Sequence, residues 1–296
     1  MTSDWTALVA ARWVHLVGGA GLFGMSLFAL YAPQDVRRLY AGNRAIAMML
    51  TALAVAASVS TFAWAVVTLV SMTGDGLAGA LDIAAWRAFI ADTTFGPAWA
   101  IGATLALLGV VVAAYAVDSG RFALLAGVSA LLLISHAWLG HAAGIEGPAG
   151  WAVRLAYAMH VLGAGVWFGG LLSLVVVLRL SRQTFHLHNL LERFSSVGLY
   201  AVVAIVTGGA ANAIAHAPSA SVVLFSAWGQ ALAAKVALVL LMLALACLNR
   251  FVLMRRLHVE QDSGKKALIR SVLAETALGF CVLAVTAALG VLDPAS

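Results

Sequence analysis

Long apolar runs separated by short polar joints set the pattern of this chain. Eight can be drawn, at 6–31, 45–72, 94–117, 121–143, 151–180, 195–216, 223–249 and 267–291. They are continuous rather than alternating, which is the pattern of helices and not of half-buried strands. Each reaches the ~20 residues that cross a bilayer core. Pro33, Gly74, Gly76, Asp118 to Gly120, Gly147-Pro148 and Pro218 mark the joints. The pattern predicts an all-α integral membrane protein, a bundle of about eight transmembrane helices in one domain, 1–296. The longest joint, about Thr73 to Thr93, is too short to bury a core of its own.

Composition agrees with the pattern. Hydrophobic residues make up 63% and charged residues 10%, whereas soluble domains run near roughly one half and one quarter. The mean hydropathy is +1.01. The net charge of +5 does not point to nucleic acid, because the basic residues gather in a few joints. Joints one, three, five and seven and the residues flanking them hold Arg37, Arg38, Arg44, Arg121, Arg179, Arg182, Arg193, Arg250, Arg255, Arg256, Lys265, Lys266 and Arg270. The opposite side holds Arg87 and Arg154, beside Asp75, Asp82, Asp92 and Glu146. The positive-inside rule then places the basic joints in the cytoplasm and both termini outside.

Trp5, Trp13, Trp86, Trp99, Trp138, Trp151 and Trp228 fall near outer helix ends, where an aromatic belt meets the lipid headgroups. Cys247 and Cys281 lie within apolar runs without CxxC spacing and read as packing residues. The start, Met1-Thr2-Ser3-Asp4-Trp5, lacks the basic region of a cleavable signal, so the first helix is expected to remain.

A stretch opening at His15, with Gly18, Phe23 and Gly24, matches one opening at His160, with Gly163, Phe168 and Gly169. The offset suggests a 4+4 parallel repeat, with each copy opening a set of four helices.

The chemistry lies in the histidines. His15 and His160 are each nine residues inside an outer helix end, ~13 Å deep at the helical rise, and His136 is ~10 Å deep. Three imidazoles therefore share one outer-leaflet layer, with His141 and His216 nearer the mouth. Ionisable groups inside a membrane are costly and mark a pathway or a site. Neutral imidazole is the commonest protein ligand for copper, zinc and iron. Met25, deeper on the first helix, is a soft station suited to cuprous copper.

Asn212 and His216, at i and i+4, share a helix face. Lys235 and Glu275 lie inside helices seven and eight at depths ~10 Å apart, which argues against a direct salt bridge. Arg12, one turn outside His15, is expected to snorkel to the surface. The same histidines permit an alternative, axial ligation of haem b between facing helices for electron transfer. A single histidine layer would not carry electrons across both leaflets. No Walker loop, phosphorylated-aspartate motif, CPC-like cysteine pair or nucleophile elbow occurs, so neither an ATP-driven pump nor a hydrolase is expected.

Several short motifs stand in order after the fifth helix. They are Glu192-Arg193-Phe194-Ser195-Ser196, Val206-Thr207-Gly208, Asn212, His216, Trp228-Gly229-Gln230 with Leu232 and Lys235, and Leu248-Asn249-Arg250. His160, Gly163, Trp167, Gly169, Gly170 and Leu171 precede them. In these residues the chain resembles the bacterial copper resistance protein D (CopD) family, most clearly over about 155–292. The resemblance implies a multi-pass protein of the bacterial inner membrane that moves copper ion, with no enzymatic activity. On that reading copper enters at His216 and His141 and rests among His15, His136 and His160. It then passes inward along Met25, Asn212, Lys235 and Glu275. The partners implied are membrane lipid and a separate periplasmic CopC-like copper-binding protein. Trp228 departs from the family's usual tyrosine, and Met-rich outer segments are missing, so capture of dilute copper is left to that partner.

Overall fold

The computed structural model describes residues 2–74, 76–115, 120–139, 145–180, 185–216, 226–259 and 261–293. Those residues form helices and no strand. The helices are α1 (Thr2–Tyr31), α2 (Gln34–Ala41), α3 (Arg44–Thr73), α4 (Leu77–Leu81), α5 (Ile83–Asp92), α6 (Phe95–Tyr115), α7 (Arg121–Ser135), α8 (Gly147–Leu180), α9 (Phe185–His216), α10 (Ala227–Leu248), α11 (Met254–Val259) and α12 (Gln261–Leu289). A 3-10 turn, His136–Trp138, ends α7, and a π-helical turn, Asn249–Leu253, joins α10 to α11. Eight helices are long and apolar enough to cross a membrane, matching the eight apolar runs. The chain is therefore an all-α membrane bundle.

Two helices hold the bundle together. α1 packs on α3, α7, α8 and α12, and α8 packs on α1, α7, α9 and α12. Their crossing is made of glycine. A Cβ on Gly24 would lie 2.0 Å from the Gly165 carbonyl oxygen, and one on Gly169 would lie 2.5 Å from Gly24 Cα. Small residues allow this approach, and in lipid such close packing is a main source of helix association. Below the crossing Met25, Phe28 and Leu171 are fully buried.

The joints hold more structure than their length suggests. α2 buries Val36 and Tyr40. The Tyr40 hydroxyl donates to the Met25 carbonyl at 3.1 Å and lies 2.9 Å from Ser173 Oγ. Burial pushes this phenol above its ordinary range, so it stays a donor. The joint after α3 folds into α4 and α5, capped by Asp82 onto the Ala84 amide. It packs Trp86 and Phe89 against Phe95 and Trp99. Trp99 is thus interior, donating to the Thr61 carbonyl, and Trp228 is also buried. Trp5, Trp138 and Trp151 remain exposed, as a belt requires.

Candidate metal centre

His15 and His136 meet. Their Nε2 atoms are 2.6 Å apart, and the two rings are 1% and 8% exposed. Each Nδ1 faces a carbonyl: His15 lies 3.1 Å from Ala57 O on α3, and His136 lies 3.1 Å from Leu133 O one turn back on α7. A carbonyl only accepts, so both Nδ1 atoms carry the proton and both Nε2 atoms present a lone pair. Thr61 and Ser60 reinforce this, since their hydroxyls already donate to Ala57 O. Fixing one ring nitrogen to orient the other is how metal-ligating imidazoles are positioned. Two facing lone pairs at this distance can share a proton, while a metal ion, which needs about 2 Å to each nitrogen, enters only once the rings part.

Aromatic groups wall the pair. Trp64 stacks on His136 with centroids 6.1 Å apart and lies 5.9 Å from His15. Arg12 is partly buried; its guanidinium lies 4.6 Å over Trp64 and reaches Gly290 just past the end of α12. Its Nε is buried without a hydrogen-bond partner.

His160 is placed differently. Its Nδ1 lies 2.8 Å from Ile205 O on α9, and its Nε2 lies 3.5 Å from Lys235 Nζ on α10. The carbonyl fixes the proton on Nδ1, so the lysine ammonium meets the Nε2 lone pair. Gly209 makes the space, because a Cβ there would lie 2.9 Å from the ring. The structure therefore brings two of the three layer histidines together and sets the third against lysine. Among the described residues no group of three or more His, Cys, Asp or Glu could hold a metal ion.

The remaining candidates are scattered. His216 Nδ1 lies 2.7 Å from the Asn212 carbonyl at the end of α9, and the Asn212 amide donates to Gly208 O. Met25 is fully buried in the core beneath the pair. His141 lies outside the described residues. Glu275 accepts from Trp167 Nε1 at 2.8 Å and from Asn249 Nδ2 at 3.0 Å, and does not meet Lys235. No direct salt bridge between the two is found, as expected.

The haem alternative does not fit the pair. It is not the iron but the flat macrocycle around it that finds no room here, since Trp64 packs against both rings.

One family profile, Copper resistance protein D-like, N-terminal domain, matches residues 1–151, and a second, Copper resistance protein D, matches 188–289. The chain belongs to the copper resistance protein D family. Inner membrane protein YebZ of Escherichia coli (strain K12) is 29% identical over 302 aligned positions, covering 97% of this chain and 98% of that protein. Copper resistance protein D of Pseudomonas syringae pv. tomato is 29% identical over 303, covering 97% and 96%. Copper transport protein CutJ of Bacillus subtilis (strain 168) is 30% identical over 225, covering 73% of this chain and 40% of that protein. No solved structure matches the chain. This is a copper-related, multi-pass protein of the inner membrane.

The motif words that carry the family resemblance meet in space. Arg250 donates to Ser195 Oγ, Asn249 to Glu275, and Lys235 lies against His160. Trp64, Thr61 and the Ala57 carbonyl were missed by sequence reasoning. Only the polar run Ser58, Ser60 and Thr61 inside an apolar helix could have signalled them.

Proposed function

We propose that this protein moves copper ion across the inner membrane, with His15 and His136 as the resting site for the ion. The observation that carries the reading is the pair of facing Nε2 lone pairs, each fixed by a carbonyl behind it. Imidazole nitrogen is a good copper ligand, and two-nitrogen coordination suits a cuprous ion. Entry of the ion requires the rings to part. His136 stands at the end of α7 on a 3-10 turn, where a helix end can yield.

On this reading copper arrives from the side of His216 and His141, and Met25, deeper on α1, offers the next soft donor. Asn212, Lys235 and Glu275 line the second half of the bundle. The basic joints face the cytoplasm and both termini face outward, as the distribution of arginine and lysine supports. A separate CopC-like protein delivers the ion. The halves are related by duplication. His15 with Ala57 O matches His160 with Ile205 O, and the glycines three residues on, Gly18 and Gly163, pack on Leu53 with Ala57 and on Ala201 with Ile205.

The test is copper accumulation in cells producing the wild type, His136→Ala or His160→Ala, with membrane level measured alongside. Copper-dependent uptake is expected to vanish in both variants at unchanged protein level. Unaltered uptake in His136→Ala removes the site assignment; unaltered uptake in His160→Ala removes the second half from the route.

A further inference from the structure

Glu275 lies near the middle of α12, 2% exposed, in a helix that spans the membrane. Its partners are two neutral donors, Trp167 of α8 and Asn249 of the π-helical turn. Among the described residues no cation pairs with it. Arg250 is turned to Ser195, and Arg255 and Arg256 of α11 and Arg270 of α12 are exposed. Arg12 of α1 is at Gly290, at the far end of α12. On α8, Arg179 is exposed, while His160 faces Lys235 of α10. Tyr31 of α1 has its hydroxyl beside Gly170 of α8.

We infer that Glu275 is a proton-binding site, which cycles between carboxylate and carboxylic acid and supplies the proton exchanged for copper. The exchange rests on the copper-transport reading; the proton site does not. A lone carboxylate inside a membrane is costly, and intramembrane carboxyls commonly serve proton relays. The partner set fits both states. As a carboxylate, Glu275 accepts from Trp167 and Asn249. As an acid it must also donate, and the acceptor beside it is Asn249 Oδ1, which is buried and has no hydrogen-bond partner. Rotation of one amide presents its oxygen in place of its NH2. A carboxyl with a purely structural role needs no such second arrangement.

The surroundings supply motion and a route. Asn249 opens a π-helical turn, an irregularity that loosens the helix and recurs at functional sites. Ser271, one turn from Glu275 toward the end of α12 that carries Lys265, Lys266 and Arg270, has a buried hydroxyl without a partner. The proton hops from that basic face past Ser271 to a Glu275 oxygen. Uptake takes the carboxyl from one negative charge to neutral, and release reverses it. One cuprous ion moving against one proton then carries no net charge.

Infrared difference spectroscopy of the purified full-length protein, taken across a pH step without copper, reads the proton site. A carboxylic C=O band is expected in the wild type and absent in Glu275→Gln. In Asn249→Leu the band is expected to persist at a shifted frequency. A band unchanged in Glu275→Gln overturns the assignment, and a frequency unchanged in Asn249→Leu overturns the part given to the amide. Gel filtration of both variants confirms folding, and the Asn249 variant keeps the test open should Glu275→Gln not fold. Coupling is read in proteoliposomes holding a pH-sensitive dye, with cuprous ion as the only added solute. Copper-driven proton flux is expected in the wild type and lost in Glu275→Gln, while copper still leaks down its gradient. Equal proton flux in both overturns the coupling. A wild type that carries no copper overturns the transport reading, and with it the exchange, while the infrared band still decides the proton site.

Discussion

Replacing Gly24 with alanine tests the joint between the two halves. Its Cβ would stand 2.0 Å from the Gly165 carbonyl oxygen, while ordinary contact begins at 3.4 Å, so α1 and α8 must part by the difference, 1.4 Å. The obstacle is backbone and has no rotamer to escape into. Overpacking costs about 1–3 kcal/mol where side chains can adjust, so about 3 kcal/mol is expected here. That is roughly a hundredfold in the folding equilibrium.

Gly127 on α7 supplies the control, since a Cβ there meets nothing within 4 Å. Alanine in an open helix position should instead stabilise by about 0.5–1 kcal/mol. The assay is the fraction of each variant that stays monodisperse after heating in detergent. Gly24→Ala is expected to melt well below the wild type and Gly127→Ala at or above it. His15 lies nine residues along α1 from the crossing, so copper uptake should fall with the Gly24 variant too. A Gly24→Ala protein as stable as the wild type would falsify the close crossing.

Three further outcomes follow. Cuprous ion at a hundred times its dissociation constant should stabilise the wild type by about 2.7 kcal/mol; a thermal shift that survives in His136→Ala removes the pair as the site. Tyr40→Phe loses the hydroxyl shared by Met25 O and Ser173 Oγ and should cost about 1 kcal/mol, with copper uptake unchanged. Its melting temperature checks this, and a Tyr40→Phe variant as stable as the wild type refutes it. A C-terminal alkaline phosphatase fusion should be active and a green fluorescent protein fusion dark; the reverse pattern refutes the proposed orientation.

The spans and the depth of the histidines were legible because hydropathy and helical rise are properties of single segments. Counting inward from the ends placed His15 and His136 at one level, and they touch. What counting does not carry is rotation about each helix axis. His160 shares that level, yet Ile205 O and Lys235 engage its ring. The contact of Arg12 with Trp64 was not legible, because the indole comes from another helix. α4 and α5 were hidden since, at 5 and 10 residues, they are too short to show a periodicity, although Leu77, Leu81, Ile83, Trp86, Phe89 and Ile90 are all apolar. The π-helical turn left no mark in a run without proline or glycine.

Lys235 has a consequence for stoichiometry. An ammonium on a side chain is a cation that cannot diffuse away. The His160 lone pair is therefore met at every external copper concentration, which leaves the proposed His15–His136 site as the one expected to respond to supply. On the proposed copper-transport reading the chain is expected to take up one exchangeable metal ion, not two. A copper titration of the purified protein should then be a simple hyperbola with a Hill coefficient of about one, because cooperativity needs more than one site.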